Sequence, residues 1–175
     1  RLGVPAQLQS TSLLTGQGIA VMTEWLRMPP DGLLLDLACG RGGYGIEVAR
    51  RTGARLLGVD FSPVAIEQGR ASSARLLPAG RAEFQVATLL STGLPSGVAN
   101  GVMCVDAVQF ADPQVAAMVE FRRLLASGGR LVLTCGEAAD PSEARVPPRS
   151  RTGGFRRAAT AHAPPHTHVH ANPPP

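Results

Sequence analysis

Residues 33–49 read LLLDLACGRGGYGIEVA, an apolar run followed by a glycine-rich turn and an amphipathic run. A short run of mostly leucine is typical of a strand that is buried on both faces of a parallel sheet. Gly40, Gly42 and Gly45 spell G-x-G-x-x-G, the spacing of a tight turn between a strand and a helix. The stretch therefore predicts a strand, loop and helix whose free backbone N–H groups can meet an anionic or polar ligand.

The alternation of short apolar and longer amphipathic runs continues along the chain. Strands are predicted at residues 32–37, 55–60, 82–87, 101–105 and 130–135, with connecting helices at 43–52, 63–77 and 113–126. Ser62 and Asp112, each followed by proline, are predicted helix N-caps, and the glycines at 128 and 129 predict the end of the last helix. The pattern predicts an α/β fold: a Rossmann-like, doubly wound, mostly parallel sheet of about five strands.

The two ends of the chain differ from this central part. Residues 16–27 predict a helix that stops before Pro29 and Pro30, and we expect residues 1–29 to form a helical cap over a cofactor cleft. Residues 30–140 form the predicted core. Residues 141–175 are rich in Pro, Arg and His without apolar periodicity, so we predict a disordered tail.

The net charge of +4 does not indicate a nucleic-acid partner, because the excess has one source. It comes from five arginines that face a single acid, Glu143, after residue 140: Arg145, Arg149, Arg151, Arg156 and Arg157. Residues 1–140 carry twelve arginines and twelve acids and have no basic footprint. No apolar run reaches the roughly 20 residues of a membrane span, so we expect a cytoplasmic protein without membrane association.

Cysteine and histidine usage predicts no metal site. Cys39, Cys104 and Cys135 each lie in an apolar run without paired spacing, so we expect reduced cysteines in the core. All histidines lie in the tail, at positions 162, 166, 168 and 170. No catalytic base is assigned, and the catalytic residues are left unknown.

Two acids flank the glycine turn and favour one kind of ligand over another. A carboxylate at Asp36, four residues before Gly40, would repel a pyrophosphate but could receive an ammonium group. Asp60 ends the second predicted strand, where an acid accepts hydrogen bonds from a ribose diol, and Phe61 offers an aromatic face. Two alternatives stay open: Asp60 and Phe61 only cap and pack the next helix, or the G-x-G-x-x-G spacing belongs to an NAD(P)-dependent oxidoreductase.

Four ordered motifs carry a family resemblance: DLACGRGG at 36–43, GVDFSP at 58–63, GVMCVDAVQF at 101–110 and LLASGGRLVLTC at 124–135. In this order they resemble the class I S-adenosylmethionine-dependent methyltransferases, especially the bacterial small-molecule methyltransferases. The resemblance covers residues 33–137. It implies methyl transfer from S-adenosyl-L-methionine to a small-molecule acceptor, without a metal.

The resemblance also implies roles for single residues. Asp36, Gly40 and Gly42 would contact the methionine portion of the cofactor. Asp60 would hold the ribose hydroxyls, and Phe61 would lie against the adenine. Each role is carried over from the position of the residue in its motif.

The remaining implied residues follow the third and fourth strands. Thr88 and Leu89 would line the adenine edge, although members commonly have Asp at the position of Thr88. Asp106 and Gln109 would lie beside the sulfonium and the substrate entrance. For Asp106 the alternative is an acid that caps the turn after its strand, and Gln109 has a structural alternative of equal weight.

The family pattern is lost after residue 137. Members continue with a helix and an antiparallel strand pair, and neither is predicted here. We therefore expect a C-terminally truncated or altered member, in which the fifth strand has an unpaired edge and two copies associate through it. The alternative function is a non-catalytic remnant that binds the cofactor weakly or not at all.

Overall fold

Five parallel strands form the centre of the computed structural model, which describes residues 14–135 and the backbone of residues 159–162. The strands are β1 (Leu33–Leu37), β2 (Arg55–Asp60), β3 (Ala82–Val86), β4 (Ala99–Val105) and β5 (Leu125–Thr134). Their order is β3-β2-β1-β4-β5, which confirms the predicted doubly wound sheet. The order reverses between β1 and β4, and ligands of such sheets bind at the carboxyl ends of the strands next to this point.

Helices cover both faces of the sheet. They are α1 (Gly16–Leu26), α2 (Gly43–Thr52), α3 (Pro63–Leu76) and α4 (Gln114–Leu124), and a short 3₁₀ helix spans Val108–Phe110. Leu34, Leu56 and Met103 pack with α1, α2 and α3 in one core cluster. Leu35 and Val102 belong to a second cluster on the opposite face, with α4. The alternation along each strand therefore fills two separate cores, as expected of a parallel sheet.

The start of α1 lies near the carboxyl edge of the sheet. Thr15 caps the helix by accepting a hydrogen bond from the Gly18 backbone N–H, and the hydroxyl of Tyr44 donates to the carbonyl of Leu14. The other end of α1 lies near the opposite edge, where Arg130 donates to the carbonyl of Trp25. The helix therefore lies along one face of the sheet, and a cap formed by residues 1–29 stays a prediction. Among the helices of the described part of the chain, none has the combined length and hydrophobicity of a transmembrane span.

The predicted boundaries of α4 were wrong at both ends. Ser62 caps α3 as predicted, but Asp112 does not cap α4: Pro113 occupies the N-cap position without a side-chain bond. The helix ends at Leu124 because Leu125 is already extended and pairs with Ala99. Gly128, with a φ of 75°, lies within β5 at an irregularity in its pairing with β4, so the glycines shape a strand and do not end a helix.

The prediction that no strand follows β5 was also wrong. A short strand, β6 (Ala159–His162), pairs antiparallel with Arg130–Leu133 of β5. Four residues are too few for a detectable alternation, and their partner is distant in sequence. Over these residues the edge of β5 is paired, so the premise for association through it does not hold there. The rest of the predicted disordered tail lies outside the described residues.

Candidate functional site

Asp36 lies on β1 under the start of α2 and is 2% exposed. Its Oδ2 accepts a hydrogen bond from the backbone N–H of Gly45 at 3.1 Å. A Cβ at Gly45 would lie 2.5 Å from the same oxygen, so only glycine permits this contact. Burial raises the pKa of Asp36 to about 7; the Gly45 N–H opposes this shift, and the charge of Asp60 adds to it.

The glycine turn uses two of its glycines for different reasons. Gly40 and Gly42 have φ values of 53° and 77°, a backbone region that disfavours side chains. A Cβ at Gly40 would meet no atom within 4 Å, so the turn presents bare backbone to open space there. A Cβ at Gly42 would lie 2.8 Å from the ring of Phe84, so this glycine lets the turn pack on the core.

Asp60 joins the glycine turn to the end of β2. Its Oδ2 accepts a hydrogen bond from the Gly40 backbone N–H at 2.8 Å, and its Oδ1 accepts one from the Ser62 N–H at 2.9 Å. The residue is only 7% exposed. Each carboxylate oxygen has two acceptor positions, so Asp60 keeps capacity for hydroxyl donors from a ligand.

A cavity of about 390 Å³ opens at the carboxyl edge of the sheet. Its lining residues come from the loops after β1 to β4 and are mostly apolar: Ala38, Asp60, Phe61, Ala87, Thr88, Leu89, Leu90, Ala107, Phe110, Ala111 and Asp112. The volume lies within the range of small-molecule sites. Four residues singled out from the sequence, Asp60, Phe61, Thr88 and Leu89, are thus brought together, and Phe61 is 75% exposed.

Asp106 and Gln109 lie at the end of β4, beside the cavity but outside its lining. Asp106 has a φ of 51°, and its Oδ1 accepts a hydrogen bond from the Thr134 hydroxyl at 2.7 Å. The amide nitrogen of Gln109 donates to the carbonyl of Asp106 at 2.8 Å. Within the described residues, the Gln109 Oε1 is buried without a hydrogen-bond partner. The roles of both residues toward a ligand stay predictions.

Several cavity residues were not singled out from the sequence. Ala38 forms part of the wall with a φ of 58°, a conformation that costs alanine about 1–2 kcal/mol. Phe110, 67% exposed, and Ala111 form the side opposite Thr88 and Leu89. An aromatic residue just beyond a buried strand was the available signal for Phe110. The alanines of the lining carry no comparable sequence signal, because alanine occurs in many environments.

Burial keeps the cysteines inside the fold in the thiol form, which is unsuited to nucleophilic chemistry. Cys104 is buried and Cys39 half-buried, but Cys135 is exposed, so the predicted core position was wrong for Cys135. Burial raises the pKa of the Cys39 thiol far above its usual range, and the nearby Asp36 adds to this effect. Among the described residues, no group of three His, Cys, Asp or Glu side chains could hold a metal ion.

Comparison with known proteins identifies the family. A family described as "Methyltransferase domain" matches residues 34–129, more than half of the chain. The chain therefore belongs to the class I S-adenosylmethionine-dependent methyltransferases, and the glycine turn is that of a methyltransferase and not of a nicotinamide enzyme. The matched range contains the sheet from β1 into β5 and every residue singled out for cofactor binding.

Two curated relatives and one solved structure are among the most similar proteins. The chain is 28% identical over 117 residues to a probable chloroplastic tocopherol O-methyltransferase of rice, covering 66% of this chain and 32% of the relative. It is 28% identical over 110 residues to a ubiquinone/menaquinone biosynthesis C-methyltransferase of Geotalea daltonii, covering 62% and 47%. The chain thus spans less than half of the length of either relative.

The structural relative is geranyl diphosphate C-methyltransferase of Streptomyces coelicolor, solved with Mg²⁺, geranyl-S-thiolodiphosphate and S-adenosyl-L-homocysteine. It aligns with a TM-score of 0.65 at 26% identity and covers 70% of this chain and 44% of the other.

Proposed function

We propose that this chain binds S-adenosyl-L-methionine at the carboxyl edge of its sheet and transfers the methyl group to a small-molecule acceptor. One observation carries the proposal: Asp60 holds the glycine turn through the Gly40 N–H and at the same time lines the cavity. A single buried carboxylate therefore lies between an open backbone turn and an apolar slot. Such a layout suits a ribose placed between a charged amino-acid end and a flat base.

The residues present fit this ligand. Gly40 offers open backbone to the methionine end, and Asp36, buried beneath the turn and outside the cavity lining, is assigned as the acceptor for its ammonium group. The exposed ring of Phe61 is free to cover one face of the adenine, while Thr88 and Leu89 lie along its edge. Asp106 and Gln109, at the end of the neighbouring strand, are assigned to the methyl end of the ligand.

The protein's part in the reaction is to hold two reactants in line. The cofactor supplies an electrophilic methyl group on a sulfonium, and positioning can account for roughly 7–11 kcal/mol of such a barrier. Asp60 and the glycine turn fix the position of the donor, and the apolar walls exclude water from its neighbourhood. No side chain is assigned as a base, and the identity of the attacked atom is left open.

A small, largely apolar acceptor is favoured over a nucleic acid. Leu90, Phe110 and Ala111 extend the cavity with apolar surface. The relatives above are named for tocopherol, ubiquinone or menaquinone, and geranyl diphosphate, all of which carry long hydrocarbon parts. The charge excess of the chain lies after residue 140, away from this cavity in sequence.

Titration calorimetry with S-adenosylhomocysteine tests the cofactor site. We expect binding by the full chain, loss of binding in Asp60→Ala, and no change in Glu67→Ala, which removes an exposed carboxylate from α3. Tighter binding of NAD than of S-adenosylhomocysteine would contradict the proposal.

Transfer of a labelled methyl group to quinol, phenol or prenyl acceptors then separates an enzyme from a binding remnant. A folded chain that binds S-adenosylhomocysteine but methylates none of these acceptors would favour the remnant.

A further inference from the structure

A buried polar cluster joins α4 to the loop between β3 and β4, residues 87–98, here called the cleft loop. Glu120 on α4 is 8% exposed, and Thr92 in the cleft loop is 3% exposed. The Glu120 Oε1 accepts two hydrogen bonds from Thr92, from the hydroxyl at 2.6 Å and from the backbone N–H at 3.0 Å. Buried hydrogen bonds to a charged group are among the strong ones, so this is a firm attachment.

The rest of the cluster leaves little freedom to the loop. The Thr92 carbonyl accepts a hydrogen bond from the side-chain amide of Gln85 on β3 at 2.7 Å. Arg123, one turn after Glu120, donates to both carboxylate oxygens at 2.7 Å and to the Ser96 hydroxyl at 3.0 Å. The Gly97 N–H also donates to the Arg123 carbonyl at 2.8 Å, so the cleft loop is attached to α4 at Thr92, near its middle, and at Ser96 and Gly97, near its end.

The charge of Glu120 is held by the same contacts. Hydrogen bonds from Arg123 first, and then from Thr92, together lower the pKa of Glu120 to about 2, against the opposing effect of burial. The carboxylate is therefore ionised at neutral pH, and the attachment persists across the working range of an ordinary enzyme.

α4 reaches both walls of the cavity. One wall is the first part of the cleft loop, residues 87–90, and the opposite wall is residues 110–112, which lead directly into α4. The cleft loop contains one bridge, between Thr88 and Ser91, and its start is also held by the Ala87 N–H, which donates to the Asp60 carbonyl at 3.0 Å, and by the packing of Leu89 on the second core cluster. Beyond Leu89, the Thr92 attachment to α4 is the next contact that fixes the loop, so the position of the Leu90 end of this wall depends on it.

We propose that Glu120 is a positioning residue that holds the cleft-loop wall at a set distance from residues 110–112, and so sizes the cavity for the adenosine part of the ligand. This inference rests on the proposed function for the identity of the ligand. The tether itself is independent of that identity. Glu120 touches no ligand in this scheme and acts through Thr92.

The test compares Glu120→Ala, Glu120→Gln and Thr92→Val in the full chain, at a temperature where circular dichroism shows each to be folded. We expect Glu120→Ala to weaken the binding of S-adenosylhomocysteine and of adenosine by about the same factor. The factor is roughly tenfold if the wall is in its binding position about one-tenth of the time. Glu120→Gln keeps a hydrogen-bond acceptor for Thr92, so its affinity for both ligands should fall only about twofold to threefold. Thr92→Val keeps the backbone N–H bond to Glu120 and loses only the hydroxyl bond, so its loss of affinity should be smaller than that of Glu120→Ala, and it should add little to Glu120→Ala in the double variant.

Glu47 provides the matched control. It is a buried carboxylate, 3% exposed, that pairs with Arg50 three residues later on α2, as Glu120 pairs with Arg123, but its recorded side-chain bonds stay within its own helix. Glu47→Ala should lower the unfolding temperature without raising backbone amide exchange in residues 87–94. Glu120→Ala should raise that exchange with or without ligand present.

The outcomes separate the two proposals. Unchanged exchange in residues 87–94 of Glu120→Ala, or unchanged affinity where the wild type binds, overturns the positioning role. Equal losses of affinity in Glu47→Ala and Glu120→Ala also overturn it, because stability alone would then account for both. Absence of binding by the wild-type chain would overturn the proposed function, and the exchange measurement would still decide whether Glu120 tethers the loop.

Discussion

The carboxylate of Asp60 accepts the backbone N–H of Gly40 with 2.8 Å between Oδ2 and N, across 20 residues of sequence. This bond ties the turn after β1 to the end of β2 and makes the two neighbouring strands one rigid edge. A residue chosen for its contact with a ribose therefore also shapes the turn that meets the rest of the ligand. The two roles are compatible because a carboxylate accepts more than one hydrogen bond per oxygen.

The substitution Asp60→Asn should distinguish a ligand-binding role of Asp60 from that of a residue that only caps the next helix. An amide has one oxygen, so either Gly40 or Ser62 loses its acceptor and faces an NH₂ group. Losing one hydrogen bond to a buried charge costs about 1.5–3 kcal/mol, and we expect that loss in the free energy of unfolding by urea. S-adenosylhomocysteine binding should weaken about 100-fold, as a loss of roughly 3 kcal/mol implies. Asp31→Asn, at an exposed carboxylate on the far edge of the sheet, is the control; affinities within twofold for both would refute the assignment.

The stability of the ligand-free protein should depend on the ionisation of Asp36. Burial raises its pKa to about 7 from an ordinary 3.8, so the folded chain binds the proton more tightly than the unfolded chain. The stabilisation is complete below about pH 4 and is lost as the pH rises through about 7. Between these limits, the free energy of unfolding of the wild type, relative to that of Asp36→Asn, should fall by roughly 1.4 kcal/mol per pH unit. Urea unfolding of both proteins from pH 4 to 8 measures this difference; a flat difference would contradict the shift.

Ligand affinity should show the opposite pH trend. An ammonium group beside Asp36 requires the ionised carboxylate, so S-adenosylhomocysteine should bind about tenfold more weakly for each unit below pH 7. Binding at pH 6 should also release a proton, which calorimetry in buffers of different ionisation enthalpy detects. Asp36→Asn should bind weakly at every pH and release none. Equal proton release by both proteins would remove Asp36 from this role.

The positions of Asp36 and Asp60 were predictable because both follow from strand periodicity. Short leucine-rich runs give parallel strands, and acids near their carboxyl ends must meet at one edge. The same reasoning located the glycine turn and the Ser62 cap, which depend on residues only three or four apart. Local pattern and global fold agree there, as they do in most natural sequences.

The cleft loop could not be predicted in the same way. The contact of Thr92 with Glu120 spans 28 residues, and neither residue lies in a motif that marks it. A glutamate on a helix with arginine three residues later is usually a solvated pair, and only the packed structure shows that this one is buried. The predicted end of α4 was wrong for a related reason, because Leu125 is extended through its pairing with Ala99. Contacts distant in sequence override local propensity in both cases.

Phe61 should contribute to affinity and not to stability. The residue is 75% exposed and lines the cavity, so little of it is buried without a ligand. Stacking of an aromatic side chain on a base is worth about 1–3 kcal/mol, so Phe61→Ala should weaken adenosine binding about tenfold or more. Unfolding free energies should agree within about 0.5 kcal/mol, as for other exposed positions. Val64→Ala, also exposed but outside the cavity lining, is the control, and unchanged adenosine binding in Phe61→Ala would exclude the stacking role.

Phe84 fixes the glycine turn from below, and its neighbours allow a sign-reversal test. Its ring occupies the space that a Cβ would need at Gly42, Gly58 and Gly69, with 2.7 Å between the ring and a Cβ built at Gly69. Alanine at a helical glycine normally stabilises by about 1 kcal/mol. Here overpacking costs about 1–3 kcal/mol, so we expect Gly69→Ala to destabilise the protein.

The result should reverse when the ring is removed. Phe84→Val deletes every ring atom that the new methyl group would meet and leaves a cavity beside α3. In that background Gly69→Ala gains helix propensity and fills part of the space, so it should stabilise by about 1 kcal/mol. Urea unfolding of the four proteins gives the coupling between the two positions directly. Additive effects would show that Phe84 does not pack against Gly69, and would contradict the support of the glycine turn by this ring.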